Sequence, residues 1–188
     1  KMVLMSKWDV SLALELIQNE KITAITGVPT QTWDILNHPE KDKYDLSSLV
    51  DLSGGGAPRP PEHVKRLNDE MEGKPSIGYG LSETNALGTL NAGDDYLKHP
   101  SSCGRAVPPV TDVAIVDQDW NFLNEGDHGE VVIKSPANMI GYWDNPDATD
   151  EVFNDEGWFK TGDLGYMKDD FLFIVDRVKD LLIRGAEN

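Results

Sequence analysis

Apolar and polar positions along the first hundred residues predict strands and helices in turn. Short apolar or β-branched runs predict four strands, at residues 3–5, 22–26, 49–53 and 76–79. Helical spacing and helix-start residues such as Asp9 and Pro29 predict three helices, at residues 10–19, 29–37 and 60–71. Strands that alternate with helices form parallel sheets with right-handed crossovers, so this half predicts an α/β fold with flanking helices.

The pattern changes near residue 100. Strand-like runs lie at residues 110–116, 130–134 and 171–175. Gly, Asn, Asp and Pro turns separate these runs, and no convincing helix lies between them, which predicts a small antiparallel sheet or distorted barrel. We therefore expect an α/β subdomain over residues 1–98 and a barrel-like subdomain over residues 99–175. Because the chain starts without Met and ends within a charged motif, we also expect it to be a fragment.

Charge and composition exclude several function classes. The chain has 17 Lys and Arg against 33 Asp and Glu, and the resulting net charge of −16 argues against a nucleic-acid partner. No apolar run approaches the roughly 20 residues of a transmembrane helix. The single cysteine, Cys103, excludes an internal disulfide and fits a reducing compartment, which predicts the cytoplasm. The histidines are scattered without ligand spacing, so we assign none of them to a metal or to acid–base chemistry.

A glycine turn, Gly54-Gly-Gly-Ala-Pro58, follows the third predicted strand. The dinucleotide-binding fingerprint requires Gly or Ala at the sixth position from Gly54, where Arg59 stands, so that motif is excluded. The phosphate-binding loop Gly-x-x-x-x-Gly-Lys-Ser/Thr does not occur either. Two interpretations remain open. Taken by itself, the segment favours an ordinary tight turn. The alternative is a surface without bulky side chains, against which a flat base or an acyl chain can lie.

A polar segment, Tyr79-Gly-Leu-Ser-Glu-Thr84, follows the fourth predicted strand, at the edge where open α/β sheets bind ligands. Tyr79 offers an aromatic face to a purine, and Gly80 permits close approach. Ser82 and Thr84 offer hydroxyls to a phosphate oxygen. Glu83 is a hard oxygen ligand that suits Mg²⁺. The alternative is a polar loop in which Glu83 is a helix-start carboxylate.

Charged residues lie at two places towards the end of the chain, around Asp163 and around Arg177. Asp163, in Trp158-Phe-Lys-Thr-Gly-Asp-Leu-Gly165, is predicted to lie in a Gly-flanked turn. A turn carboxylate can accept two hydroxyl hydrogen bonds, which suits a ribose diol, and Arg177 beyond the next strand can close on the same sugar or its phosphate. A plain turn acid is the alternative for Asp163.

These segments, taken in order, resemble the adenylate-forming enzymes. That superfamily includes acyl-CoA synthetases, aryl-CoA ligases, luciferases and peptide-synthetase adenylation domains. The resemblance covers essentially the whole chain, and it is greatest to a long-chain or medium-chain fatty-acid–CoA ligase. It implies a piece of the large N-terminal domain of an enzyme with a two-step reaction. A carboxylate attacks the α-phosphorus of ATP to give acyl-adenylate and pyrophosphate, and the thiol of CoA then displaces AMP.

The resemblance also implies the residues that bind ATP and its Mg²⁺. The adenine pocket and the neighbouring acyl pocket would be lined by Gly55, Gly56, Ala57 and Pro58. Tyr79, Gly80 and Ser82 belong to the same nucleotide site. Thr84 would contact the α-phosphate, and Glu83 would hold the Mg²⁺. The ribose would be bound by Asp163, through both hydroxyls, and by Arg177.

Residues 176–188 would form the hinge that leads to a missing C-terminal domain. Lys179 falls on the hinge position of the family and is counted among the catalytic residues, because the two half-reactions need different domain orientations. Gly185 would help to form the CoA tunnel, although Ala186 stands where the family commonly has Gly. Two further matching segments, Gly129-Glu130 and Gly141-Tyr-Trp143, are interpreted as structural.

Two parts of such an enzyme are not found in the sequence. They are the Ser/Thr/Gly-rich phosphate loop with its Lys and the small domain with the catalytic Lys, so we expect the isolated fragment to be inactive. A non-catalytic adenine-nucleotide-binding module and a purely structural fragment remain as alternatives. Within the superfamily, an aryl-CoA ligase, a luciferase-like enzyme and a peptide-synthetase adenylation domain also remain open.

Overall fold

The computed structural model describes residues 1–71 and 73–177. These residues form five α-helices: Val10–Glu20 (α1), Pro29–Asn37 (α2), Pro61–Glu70 (α3), Gly93–Lys98 (α4) and Pro146–Val152 (α5). They also form nine strands: Ala24–Gly27 (β1), Asp51–Gly54 (β2), Lys74–Tyr79 (β3), Thr89–Ala92 (β4), Arg105–Ala106 (β5), Asp112–Val116 (β6), Gly129–Lys134 (β7), Phe159–Lys168 (β8) and Phe171–Arg177 (β9).

The strands are arranged in two sheets, which confirm the predicted fold class. The first sheet has the order β1-β2-β3-β4-β5. Its strands β1, β2 and β3 are parallel, as the alternation of strands and helices predicted, and β5 is antiparallel to β4. The second sheet has the order β6-β7-β8-β9 and is antiparallel throughout. The fold is therefore α/β, with a smaller antiparallel sheet after it.

Internal contacts divide the chain into two compact units. The first consists of residues 1–77 and 92–101, and the second consists of residues 78–91 and the chain from residue 102 onward. The second unit thus takes in the polar segment that follows β3. The bounds of 1–98 and 99–175 that the sequence suggested for two subdomains remain a prediction.

Local signals set the helices of the first unit. The Asp9 side chain accepts a hydrogen bond from the backbone N of Leu12 at 2.9 Å and caps α1, as predicted. Pro29 occupies the first position of α2. A core of eight buried side chains lies among these elements: Leu14, Ile17, Ile35, Leu36, Leu49, Leu52, Leu67 and Met71.

The strand predicted at residues 3–5 is wrong. These residues are irregular, and Leu4 is exposed. A run of three apolar residues is too short to specify a strand without a neighbouring strand to pair with, and no such pairing occurs in the described part of the chain.

The sequence did not predict several of the elements that follow β3, namely β4, α4, β5, α5 and β8. Strand β8 has polar residues and glycines where a strand pattern would need apolar ones, but β7 and β9 pair with it on both sides. Its backbone hydrogen bonds therefore override its weak propensity. Helix α5 begins at an Asn-Pro pair, and the Asn145 side chain accepts from the backbone N of Ala148 at 3.2 Å. The expectation of no helix beyond residue 100 is thus wrong.

The core of the second unit is centred on β7. Ile115, Val131 and Leu172 are buried together, and the half-buried Tyr79 and Cys103 pack against them. Among the described residues, none of the helices combines the length and the apolar character needed to cross a membrane.

Replacing Gly104 with Ala tests the close backbone contact in this unit. Gly104 has φ +95°, and a Cβ there would lie 2.1 Å from the carbonyl oxygen of Leu90. Gly126 has a similar φ, +88°, with no atom within 4 Å of its Cβ position, so it is the matched control. We expect Gly126→Ala to lower the free energy of unfolding by about 1–2 kcal/mol through φ alone. Gly104→Ala should lower the free energy of unfolding by roughly 1–3 kcal/mol more than Gly126→Ala does, because of the clash. Urea unfolding of both variants measures the difference, and equal losses would contradict this account.

The Cys103 thiol should react slowly in the folded chain. Burial, with a smaller contribution from the nearby Asp163 carboxylate, raises the pKa of Cys103 from 9.0 to about 11. Since the thiolate is the nucleophile, its fraction at pH 8 falls about a hundredfold. We expect iodoacetamide to alkylate Cys103 at least that much more slowly in the folded chain than in urea. Equal rates in the two states would show that the thiol is accessible and unperturbed.

Candidate nucleotide-binding site

Asp163 is a buried carboxylate within strand β8, with 6% of its surface exposed. The predicted Gly-flanked turn is therefore wrong. The two glycines are in the strand, and Gly162 has φ +75°. The pairing register of β8 shifts near Asp163 against both of its neighbours, β7 and β9. Such irregularities re-aim a side chain in a sheet, which explains how a short polar sequence of turn character places a carboxylate in a strand.

Two side chains that are distant in sequence meet at this carboxylate. The Tyr79 hydroxyl donates a hydrogen bond to Asp163 Oδ2 at 2.7 Å. The Arg177 Nε lies 3.3 Å from Asp163 Oδ1, and the Arg177 side chain is otherwise largely exposed. A carboxylate has about four lone-pair sites, so two acceptor positions remain after these contacts. Three of the residues predicted for nucleotide binding thus lie together.

The Tyr79 hydroxyl remains a proton donor over a wide pH range. Burial raises the pKa of Tyr79 far above its ordinary value of 10.0, and the neighbouring Asp163 carboxylate raises it further, while a hydrogen bond with Thr161 opposes the shift. The phenol is therefore protonated throughout the ordinary pH range, and it donates its proton in the hydrogen bond to the Asp163 carboxylate.

The backbone around Asp163 is fixed by residues that the sequence did not single out for the site. The Thr161 hydroxyl donates to the carbonyl of Val131 at 2.8 Å and accepts from the backbone N of Asp163 at 3.1 Å. Glu130 Oε1 accepts from the backbone N of Gly162 at 3.0 Å. Burial raises the pKa of Glu130 above its usual value, although this bond partly offsets the effect. Only the three-dimensional register brings these groups together.

The segment after Tyr79 is a tight turn held by its own backbone. A Cβ at Gly80 would lie 2.5 Å from the backbone of Ala86, so a glycine is needed for these two parts of the backbone to pack this closely. Thr84 is completely buried, and its Oγ1 accepts from the backbone N of Leu81 at 3.0 Å and donates to the Leu81 carbonyl at 3.2 Å. A phosphate contact would require that hydroxyl to redirect its proton. Ser82 is exposed.

Glu83 lies in a 3-10 helical turn, Ser82–Thr84, and contacts a distant loop. The Tyr142 hydroxyl donates to Glu83 Oε1 at 3.1 Å, and the backbone N of Met139 donates to the Glu83 carbonyl at 2.6 Å. Burial raises the pKa of Tyr142, and its contact with Glu83 raises it further, so it stays protonated. The sequence interpretation gave the segment that contains Tyr142 a structural role, and the structure adds this contact with a residue 59 positions away.

The donor set at Glu83 fits Mg²⁺ only in the presence of a nucleotide. No group of three or more His, Cys, Asp or Glu side chains capable of holding a metal occurs among residues 1–71 and 73–177. Mg²⁺ in nucleotide sites is commonly held by one or two carboxylates together with substrate phosphates and water. Glu83 provides one carboxylate, and its Oε2 accepts no hydrogen bond from the described residues.

The glycine turn belongs to the first unit. Gly54 ends β2, and the backbone N of Gly55 donates to the Gly27 carbonyl at 3.1 Å. The next three residues are exposed: Gly56, Ala57 and Pro58. Gly56 has φ +75°, which favours glycine. The turn is thus both locally required and open to a ligand, so the two sequence interpretations are compatible.

Arg59 lies beneath this turn and is 3% exposed. A Cβ at Gly54 would lie 2.5 Å from Arg59 Nη2, so only glycine fits there without displacing the guanidinium. Arg59 Nη1 donates to the Ser76 carbonyl at 3.2 Å. Burial lowers the pKa of Arg59 from its ordinary value.

Lys179 and Gly185 lie outside the described residues. Their roles at the hinge and in the CoA tunnel stay predictions, as do the ligand assignments of the other site residues.

Known proteins match this chain closely in sequence and structure. The long-chain-fatty-acid–CoA ligase of Bacillus subtilis is 38% identical over 190 residues, covering 100% of this chain and 33% of that protein. A luciferin 4-monooxygenase of Luciola mingrelica is 39% identical over 188 residues, covering 97% of this chain and 33% of that protein. The inhibitor-bound N-terminal domain of FACL13 from Mycobacterium tuberculosis superposes with a TM-score of 0.85 at 34% identity, over 92% of this chain and 43% of that one.

The chain thus spans about a third of the length of the curated relatives it matches. The AMP-binding enzyme family matches residues 1–143, which include the glycine turn, the Tyr79 segment and the loop with Tyr142. This chain therefore belongs to the AMP-binding enzymes, the adenylate-forming family that its motifs resemble.

Proposed function

We propose that this chain is part of an ATP-dependent acyl-CoA synthetase that activates a long-chain or medium-chain fatty acid as its adenylate and transfers it to CoA. Family membership and the similarity to a long-chain-fatty-acid–CoA ligase support the proposal. The observation that carries it is the buried Asp163 carboxylate with Tyr79 and Arg177 on its two oxygens. The proposed compartment is the cytoplasm, in keeping with the single cysteine of the chain.

Asp163 would bind the ribose of ATP. Its two remaining acceptor positions match the two hydroxyl donors of a 2′,3′-diol. The Tyr79 bond fixes the carboxylate orientation before the nucleotide arrives, so little conformational entropy remains to be lost on binding. The exposed part of Arg177 can then reach the same sugar. The exposed Gly56, Ala57 and Pro58, with Gly55, are the proposed surface for the adenine and the acyl group.

Glu83 would hold the Mg²⁺ of MgATP. The metal, when bound, offsets negative charge at the reacting phosphorus, which favours attack by the carboxylate of the acid. Within this chain, Glu83 contributes the ligand oxygen, and Thr84 supplies the rigid turn that presents it. The α-phosphate contact proposed for Thr84 requires its hydroxyl to exchange a bond with the Leu81 backbone for one with the phosphate.

A luciferase-like or other adenylate-forming enzyme is the second candidate, since the identity to a luciferin 4-monooxygenase is as high as that to the fatty-acid ligase. Both candidates share the first half-reaction. Pyrophosphate exchange by the full-length protein with a panel of alkyl and aryl acids, followed by a CoA thioester assay, separates them. Thioester formation with fatty acids supports the ligase, and adenylation without thioester formation contradicts it.

Asp163→Ala in the full-length protein tests the ribose contact. Each lost charge-assisted hydrogen bond costs about 1.5–3 kcal/mol, so we expect the KM for ATP to rise roughly ten- to a hundredfold or more. The KM for the acid should stay unchanged. With 2′-deoxy-ATP or 3′-deoxy-ATP, which already lack one of the hydroxyls, the substitution should raise the KM by a much smaller factor. The exposed Asp119 in the same unit gives the matched control, Asp119→Ala. An unchanged KM for ATP would reject the ribose assignment.

Glu83→Gln tests the metal contact separately. The amide keeps the shape of the side chain but loses the charge that Mg²⁺ requires. We expect the Mg²⁺ concentration for half-maximal pyrophosphate exchange to rise at least tenfold, while the control Glu151→Gln on helix α5 leaves it unchanged. A Mg²⁺ titration of the variant that overlays that of the parent would refute the metal role.

A further inference from the structure

The loop of residues 139–143 contacts Glu83 at two points. The backbone N of Met139 donates to the Glu83 carbonyl, and the Tyr142 hydroxyl donates to the Glu83 carboxylate. One loop therefore fixes both the main chain and the side chain of the same residue. The contact spans a large separation along the chain, so it forms only when the second unit is folded.

Helix α5 anchors this loop from the other side. The backbone N of Tyr142 donates to Thr149 Oγ1 at 2.9 Å, and the Thr149 hydroxyl donates to the Asn145 carbonyl at 3.0 Å. A Cβ at Gly141 would lie 2.9 Å from the Thr149 side chain, so the glycine permits this approach. These contacts fix the position of the Tyr142 backbone, from which the side chain extends, before any ligand binds.

Packing does not explain the contact between Tyr142 and Glu83. The neighbours of Tyr142 in the loop, Ile140 and Trp143, are completely or almost completely exposed, and Tyr142 itself is exposed. A hydrogen bond between partly exposed groups contributes little to the stability of a fold, because water competes for both partners. The contact does, however, determine which carboxylate oxygen is engaged. Oε1 accepts from Tyr142, and Oε2 has no hydrogen-bond donor among the described residues.

We propose that Tyr142 is a positioning residue that orients the Glu83 carboxylate so that Oε2 is the oxygen presented to the divalent cation of the nucleotide. This proposal rests on the metal role proposed above for Glu83. Carboxylates that bind metals are themselves held by hydrogen bonds from neighbouring groups, and loss of such a group commonly lowers metal affinity about 10–100-fold. Tyr142 supplies that hydrogen bond from a rigid aromatic side chain with one donor.

The test is Tyr142→Phe in the full-length protein, with Mn²⁺ as the probe. Binding of Mn²⁺ in the presence of a non-hydrolysable ATP analogue is followed by electron paramagnetic resonance. We expect the Mn²⁺ affinity to fall about 10–100-fold, while the melting temperature and the affinity for the metal-free analogue stay unchanged. Tyr166→Phe is the matched control, since the Tyr166 ring is stacked between His128 and Phe173 and its hydroxyl is removed in the same way.

Comparison with Glu83→Gln separates this proposal from the one on which it rests. If Glu83→Gln weakens Mn²⁺ binding and Tyr142→Phe does not, the positioning role is wrong and the metal role stands. If neither variant changes Mn²⁺ binding, the metal role itself is wrong. The double variant should bind Mn²⁺ no more weakly than Glu83→Gln alone, because Tyr142 acts only through that carboxylate. Additive losses would show that Tyr142 acts by another route.

Discussion

The second unit depends on the burial of one carboxylate. A charged Asp in the interior of a sheet is strongly unfavourable unless hydrogen bonds and an opposite charge satisfy it. Asp163 meets this condition through the Tyr79 hydroxyl and the Arg177 guanidinium, which come from β3 and β9. The irregular register of β8 and the positive φ of Gly162 are the local geometry that aims the carboxylate at these two partners. Fold and candidate site therefore share one electrostatic constraint.

Elements with strong local signals could be predicted from the sequence. The Asp9 cap and Pro29 start their helices through interactions within a few residues, and both helices lie where the sequence placed them. Strand β8 could not be predicted in this way. Its sequence has the glycines and polar residues of a turn, and it is extended only because strands on both sides satisfy its backbone. The turn assigned to Asp163 was an error of that kind.

The candidate site shows the same difference between residues that have a local sequence signal and residues that have none. The chemistry of Tyr79, Asp163 and Arg177 was visible in their residue types and family order, and the structure brings them together. The Tyr79 ring was expected to serve a purine, however, and the role of its hydroxyl towards Asp163 was not anticipated. Neither Thr161 beneath Asp163 nor Tyr142 at Glu83 carried a local signal. Supporting residues of this kind are defined by distance in space, which a single sequence does not report.

Arg59 gives the first unit a fixed source of positive electrostatic potential. The chain carries a net charge of −16, which repels any polyphosphate that approaches it. A guanidinium that is almost completely removed from water is screened less by solvent and salt than a surface lysine. Its field therefore extends to the exposed glycine turn above it at ionic strengths that would suppress a surface charge. A salt-resistant cation inside an acidic protein lowers the local barrier to an anionic ligand without making the surface basic.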